Sequence, residues 1–258
     1  MTVYFIGAGP GDPELITVKG SRLIGEADLV LYAGSLVPPA VVAHAKPGAR
    51  VIDSAPLNLD ETHALLVETA RAGGMAVRVH TGDPSLYGAM REQMRLLDAE
   101  GIGYEVVPGV TAAFAAAATA GLSLTVPERS QTVILTRTPG RTPMPEGERL
   151  RDLARHRCAL AIYLSAADPD PMVAELRAGG LSAATPVLAA YRVGWPDEAT
   201  YPTTLGGLCA TVREHGLTRQ TLFLVLPGED GAAHFSKLYA PDFAHGFREV
   251  ATDAGNKE

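Results

Sequence analysis

The chain carries little that points to covalent or metal chemistry. Its two cysteines, Cys158 and Cys209, lie far apart without metal-ligand spacing, so a disulfide framework is not expected and their predicted role is packing in a reducing compartment. None of the seven histidines pairs with another at helical or short-loop spacing, and no metal site is predicted. There is no GxSxG elbow and no P-loop lysine, and Ser35 is a candidate nucleophile only as any serine is. No apolar run is long enough to cross a bilayer. The first residues lack a basic segment followed by an apolar stretch and a cleavage site, which predicts a cytoplasmic protein with no membrane partner. Cations are outnumbered, 22 Lys and Arg against 29 Asp and Glu, and the resulting acidic balance argues against a nucleic-acid partner.

Glycine is plentiful, and its placement matters. The apolar start Val3-Tyr4-Phe5-Ile6 runs directly into Gly7-Ala8-Gly9-Pro10-Gly11-Asp12-Pro13. Glycine allows positive φ and close backbone approach, while proline stiffens the loop. As a dinucleotide fingerprint the segment fails at its last glycine, where Asp12 stands. The acid expected at the end of the second strand is missing too, since Asp28 precedes that strand. A nicotinamide oxidoreductase is therefore the weaker alternative.

Apolar runs alternate with helical stretches along the whole chain. Strands are predicted at 3–6, 29–32, 50–52, 77–80 and 104–107, and helices at 19–26, 61–72 and 89–100. The alanine-rich run 111–120 is read as the last helix of this half. After it, strands are expected at 132–136, 159–165, 187–191 and 221–226, with helices at 148–155, 171–178 and 205–215. The pattern predicts an α/β protein of two units, 1–118 and 119–258, each with a mostly parallel or mixed sheet flanked by helices. The boundary is placed within 115–128, and residues 252–258 are expected to be disordered.

Beyond the glycine loop, four segments carry chemistry. Thr81-Gly82-Asp83-Pro84-Ser85-Leu86-Tyr87-Gly88 follows a strand, where open α/β sheets bind ligands. Asp83 suits a ribose or amino group there and Leu86 an apolar wall, although Asp83 or Ser85 capping a helix explains the segment equally well. In Pro108-Gly109-Val110-Thr111-Ala112, small residues leave helix-start amides open and Thr111 adds a hydroxyl. The plainer explanation is a helix packed closely on the sheet. Arg129, Arg137 and Arg141 form a basic island with no acid between Glu128 and Glu146, suited to carboxylates or phosphates; a solvated face explains any one of them. Trp195, the single tryptophan, lies in Tyr191-Arg192-Val193-Gly194-Trp195-Pro196-Asp197-Glu198 and suits either stacking on a flat ligand or simple packing. For the first loop itself, Asp12 or Thr17 capping the next helix is the ordinary alternative.

Taken in order from Val3 to about Pro227, these segments closely resemble the tetrapyrrole methyltransferase family, which uses S-adenosylmethionine. Tyr32-Ala33-Gly34-Ser35-Leu36-Val37, the Gly82–Ala89 stretch, Gln131–Arg137 and Tyr191–Glu198 are most similar to the branch that methylates C11 of precorrin-4 in cobalamin synthesis. The uroporphyrinogen-III branch has an arginine and paired glycines where this chain reads Gly88-Ala89-Met90-Arg91-Glu92. The resemblance implies two α/β domains with the cofactor in the cleft between them. Contacts from the first domain would come from Pro10, Gly82, Asp83, Leu86, Thr111 and Ala112, and from the second Leu164 and Val193. It further implies a tetrapyrrole substrate, S-adenosylhomocysteine as product, and a homodimer. A polycarboxylate substrate on an acidic protein calls for local cations, for which Arg129, Arg137 and Arg141, with Arg91 or Arg22, are the candidates. Asp12 is the candidate for orienting the ring or taking a proton. Another ring position (C17 or C20), a cobalt-bearing substrate, a modified histidine of a translation factor and a non-catalytic tetrapyrrole carrier stay open.

Overall fold

The apolar runs of the first half are short and mostly β-branched, and each of the first four is followed by a helix that carries the chain back to begin another parallel strand of the same sheet. The structure, a computed structural model, describes residues 2–140, 142–229, 231, 236, 240, 243, 244 and 246–249. Arg141 and the 252–258 segment lie outside the described residues. In chain order the first half contains β1 (Thr2–Gly7), α1 (Val18–Glu26), β2 (Leu29–Tyr32), α2 (Pro39–Val42), β3 (Arg50–Asp53), α3 (Leu59–Arg71), β4 (Ala76–His80), α4 (Met90–Ala99) and β5 (Gly103–Val107). All five strands are parallel, in the order β3-β2-β4-β1-β5. Alternation along β1 and β4 sends Ile6, Val77 and Val79 to one face, against Leu23, Ile24 and Val41. Val3, Phe5 and Ala76 go to the other, against Leu66 and Ala70 of α3 and Leu97 of α4. A parallel sheet covered on both faces is the stable solution for such strands.

Helix boundaries follow from local chemistry. Thr17 caps α1 by accepting from Gly20 N at 3.1 Å. A reciprocal box starts α3: Asn58 Oδ1 accepts from Glu61 N at 3.0 Å while Asn58 N donates to Glu61 Oε2 at 2.8 Å. The short α2 begins on Pro39, after Pro38, and was not legible as a helix because it makes a single turn.

The second half contains α5 (Ala112–Thr119), β6 (Val133–Arg137), α6 (Leu150–Ala154), β7 (Ala159–Tyr163), α7 (Pro169–Ala178), β8 (Pro186–Tyr191), β9 (Ala199–Thr204), α8 (Leu208–Glu214) and β10 (Thr221–Val225). The sheet is mixed, in the order β6-β7-β10-β8-β9, with only β6 and β7 parallel. Strand β9 was missing from the sequence reading because Pro202 interrupts its pattern. As the edge partner of β8 it tolerates proline. The run predicted as strand to 165 ends at Tyr163, since Leu164 turns to φ +53° and leaves extended geometry.

One placement differs from the expectation. The alanine helix α5 is buried against the second sheet, with Ala113, Ala116 and Ala117 packed among Ala159, Ala161, Ala190 and Leu224. Small residues on both sides let helix and sheet approach closely. The chain therefore passes from one sheet to the other at residues 108–111, ahead of α5 rather than after it.

Where β1, β4 and β5 end, three glycines meet. A methyl group added at Gly7 would lie 2.6 Å from both Gly109 Cα and Gly82 O, and one added at Gly109 would lie 2.7 Å from Gly7 Cα. These atoms are backbone and cannot swing away. Gly109→Ala is expected to cost about 3 kcal/mol in urea denaturation. Gly25→Ala, in α1 with nothing closer than 3.7 Å, is expected to gain about 0.5 kcal/mol.

Candidate active site

The three glycines hold together the loops that leave β1, β4 and β5. Gly9 and Gly82 exchange backbone hydrogen bonds, Gly82 N to Gly9 O at 2.7 Å and Gly9 N to Gly82 O at 3.2 Å. Asp83 then ties this pair to the third loop: Oδ2 accepts from Gly109 N at 3.0 Å, and Oδ1 accepts from Ser85 N at 2.8 Å and from Ser85 Oγ. Burial pulls the Asp83 carboxyl upward, but the bonds from Ser85 and Gly109 outweigh it and hold it below its usual range. Both carboxylate oxygens are thus engaged within the protein.

The second half closes on this frame through two seams. At the first, the Tyr163 hydroxyl, at the end of β7, meets Thr111 Oγ1 at 2.6 Å and accepts from Ala113 N at 3.1 Å. The side chain of Tyr163 so takes the place of a cap on α5, whose N-cap Thr111 makes no capping bond of its own. Burial raises the Tyr163 hydroxyl, with the Thr111 and Ala113 bonds opposing. Tyr87 packs beside it, ring centroids 5.7 Å apart. At the second seam the Pro10–Asp12 loop meets the β8–β9 turn. A methyl group on Gly11 would lie 2.7 Å from Trp195 Nε1, and one on Gly194 would lie 2.7 Å from Asp12 N. Trp195 is itself covered by the Arg192 guanidinium at 4.2 Å from the ring centroid, and Arg192 pairs with Asp197 at 2.7 Å. The indole is a packing element between the halves rather than a free stacking face. Gln220 Nε2 adds a third link, donating to Ser35 O at 3.1 Å.

Left-handed backbone gathers at this place. Tyr87, Ala89, Leu164 and Arg192 have φ between +46° and +57°, each a cost that persists only where surroundings impose it. Leu164 is also 70% exposed, an apolar side chain held out of the core beside Tyr163. Val193 is buried with the α5 layer.

The sequence-predicted residues are therefore only partly assembled. Pro10, Gly82, Asp83, Thr111 and Ala112 share one continuous rim with Leu86, whose N–H closes a turn on Asp83 O at 3.2 Å, and with Tyr163 and Leu164. Asp12 accepts from Glu14 N at 2.8 Å through Oδ1 and caps a short 3₁₀ turn. The basic island is divided. Arg137 acts electrostatically on Tyr87, but its guanidinium donates to the carbonyls of Thr138, Thr142 and Pro143. Arg129 sits beside Ser130, whose Oγ accepts from Ala159 N at the start of β7, the opposite end from Tyr163. Arg91 lies exposed in the first turn of α4, and Arg22 pairs with Glu26 at 2.9 Å. Asp28, which a nicotinamide site would need, holds Lys46 at 2.6 Å and Met75 N at 2.7 Å at the far end of β2. Sequence reasoning missed Tyr163 altogether. Its signal was faint: a single tyrosine closing an apolar strand.

With this geometry in view, comparison with known proteins is decisive. Residues 2–209 match the family model of Tetrapyrrole (Corrin/Porphyrin) Methylases. The chain belongs to the tetrapyrrole methylase family. It is 49% identical to the Cobalt-precorrin-4 C(11)-methyltransferase of Priestia megaterium, over 96% of this chain and 98% of that one. It is 50% identical to the Precorrin-4 C(11)-methyltransferase of Pseudomonas aeruginosa, over 96% and 99%. Among solved structures, a cobalt precorrin-4 methyltransferase superposes with a TM-score of 0.86 at 49% identity, covering 88% of this chain and 95% of that one. Uroporphyrin-III C-methyl transferase from Thermus thermophilus, complexed with S-adenosyl homocysteine, superposes at 0.72 and 31% identity, covering 88% and 93%. Membership makes the chain a methyltransferase enzyme. Among the described residues no cluster of His, Cys, Asp and Glu is arranged to hold a metal ion, and no helix is long and apolar enough to cross a membrane.

One buried group beside the rim sets a pH response. His80, at the end of β4, is 4% exposed, and burial, aided by the charge of Arg78, pushes its imidazole down to about 3. The unfolded chain takes up this proton near its ordinary value of 6.5, so the stability that His80 contributes is present above that pH. It is lost as pH falls toward 3, with a slope of up to about 1.4 kcal/mol per unit. Urea midpoints measured from pH 7 to 5 should fall steadily, and His80→Gln should flatten the trend.

Proposed function

We propose that this enzyme transfers the methyl group of S-adenosylmethionine to C11 of precorrin-4 or of its cobalt-bearing counterpart. The observation that carries the reading is identity of about one half along nearly the whole chain to proteins with that activity. Relatives of both kinds are equally similar, so the metal content of the substrate is left to experiment.

The residues of the rim fit the cofactor on two grounds. Leu164 offers an exposed apolar surface on a strained backbone, which suits contact with a flat or aliphatic ligand better than solvent. In the first turn of α5 the amides of Ala113 and Phe114 are already bonded, to Tyr163 and to Thr111 O, which leaves the Ala112 amide for a ligand. When bound, the cofactor supplies an electrophilic methyl carbon on a sulfonium. Pro10, Gly82, Leu86 and Thr111 would hold it from the first half and the crossover, and Ala112, Leu164 and Val193 from the second half. Asp83 would act by holding the Gly82 and Gly109 loops in place. The protein's work is alignment and exclusion of water; such alignment reaches effective molarities of about 10⁵–10⁸ M. No side-chain nucleophile is needed.

Asp12, whose Oδ2 has no protein hydrogen bond among the described residues and whose backbone N lies beside Gly194, is the candidate to orient the ring or take a proton. Arg91, Arg129, Arg137 and Arg141 are the candidate cations for peripheral carboxylates, and of these Arg137 acts electrostatically on Tyr87 at the rim. In this reading the enzyme works as a cytoplasmic homodimer on a free small molecule, with neither nucleic acid nor membrane as partner.

Incubation with carbon-13 methyl-labelled cofactor and precorrin-4, with and without cobalt, is expected to give a product heavier by one methyl and labelled at C11; label at C17 or C20 refutes the assignment. Leu164→Gly is expected to weaken S-adenosylhomocysteine binding at least fivefold by calorimetry. The same change relieves the left-handed backbone and should leave stability unchanged or raised by up to about 1 kcal/mol. Turnover of Asp12→Asn that matches the parent at every pH would remove Asp12 from the mechanism.

A further inference from the structure

A leucine gains nothing by itself from left-handed backbone or from a side chain in solvent. Leu164 has both, and the two residues that follow it, Ser165 and Ala166, are buried. The chain therefore turns one apolar side chain outward between neighbours that it takes in. The Ser165 hydroxyl holds that turn. Its Oγ donates to Tyr163 O at 2.6 Å, a bond that closes around Leu164 from the residue before it to the residue after it. The same oxygen accepts from Thr138 N at 2.9 Å and from Thr138 Oγ1 at 2.8 Å. A hydroxyl has one proton to give and two lone pairs to fill, so Ser165 has no hydrogen-bonding capacity left over. Only 4% of the residue is exposed.

These bonds connect the ends of two neighbouring strands. Strand β6 runs parallel to β7 with Arg137 opposite Tyr163, and Thr138 is the first residue beyond β6. Arg137 secures the same exit by donating to Thr138 O at 3.1 Å. Tyr163 is in turn held at both ends, its carbonyl by Ser165 and its hydroxyl by Thr111 and Ala113. A continuous run of hydrogen bonds thus leads from the exit of β6, around Leu164, to the start of α5. Ser130 offers a contrast on the same strand. It too is buried, and its Oγ accepts from Ala159 N at 3.3 Å at the other end of β7, where no rim residue adjoins it.

We propose that Ser165 is a positioning residue for methyl transfer, whose hydroxyl keeps Leu164 turned outward in the geometry that meets the cofactor. The assignment rests on the reading of Leu164 as a cofactor contact, and deepens it by naming the group that sets that contact. With its hydroxyl saturated and its surface covered, Ser165 has nothing to offer a ligand directly and acts through Leu164. Without the hydroxyl, the Tyr163 carbonyl loses its donor and Thr138 loses its acceptor. Leu164 then leaves its left-handed conformation, and restoring it on binding becomes an ordering cost subtracted from cofactor affinity.

The test measures S-adenosylhomocysteine binding by calorimetry, with precorrin-4 turnover as the second readout. Ser165→Ala is expected to weaken binding by about fivefold or more and to raise KM for S-adenosylmethionine in step, while KM for precorrin-4 stays within about twofold. Ser130→Ala removes a buried hydroxyl from the far end of the same strand. It should lower thermal stability yet keep cofactor affinity within about twofold, which separates positioning from a general loss of packing. Thr138→Val keeps the Thr138 amide and takes away one of the two donors to Ser165, so its loss of affinity should be smaller, about threefold. The deciding measurement is the double variant. In a Leu164→Gly background, Ser165→Ala should add less than about a further twofold, because a residue that acts through another does not add to its removal. Losses that multiply in the double variant, or unchanged affinity in a folded Ser165→Ala protein, overturn this inference alone. If Ser165→Ala does not fold, Thr138→Val decides, and parent-like affinity there overturns it. Leu164→Gly that binds S-adenosylhomocysteine as tightly as the parent overturns the reading of Leu164 and this inference with it, so the two failures are told apart.

Discussion

Contact between bare backbones at Gly7, Gly82 and Gly109 is the constraint on which the rest of this structure depends. Three parallel strands end side by side, and their exits approach so closely that no side chain fits between them. Asp83 converts that closeness into a fixed frame by bonding across to Gly109. Because both its oxygens serve this purpose, the carboxylate does the work of a cross-brace. Ligand-facing groups in this frame are then mainly backbone and small side chains, as expected where a flat, extended molecule must approach the main chain.

The two halves are joined by few polar contacts, and these fall at the rim. Tyr163 reaches from the second sheet to complete the first turn of α5, while Trp195 closes over Gly11 beneath the Arg192 guanidinium. Each makes the position of one half depend on the other. The exposed Leu164 sits next to the first of these contacts, so a residue held in left-handed backbone adjoins the residue that joins the halves. Strain and support are adjacent in sequence, which is a common arrangement at functional sites.

Much of this was legible in the sequence. The glycine loops and the alternation of apolar runs with helices placed both sheets, and the order of motifs carried the family. What could not be read has definite physical causes. Strand β9 carries Pro202, which local patterning excludes but an edge strand accepts. The alanines of α5 are apolar on all sides, so their composition could not say which sheet they would cover. The arginines near residue 130 are close in sequence, yet a β-strand carries Arg129 and Arg137 toward opposite ends of the sheet. Tyr163 and His80 owe their importance to partners far away in the chain, or to the lack of them, and no window of neighbouring residues contains that information.

Trp195 is the chain's one indole, and it is wedged at the junction of the halves between a guanidinium and a glycine. Excited beyond the absorption of the eight tyrosines, its fluorescence therefore comes from a single known place. Opening or tightening of that junction would change how the indole is quenched and how much water surrounds it. The protein thus carries its own optical gauge of the distance between its halves, one that needs no dye and no substitution.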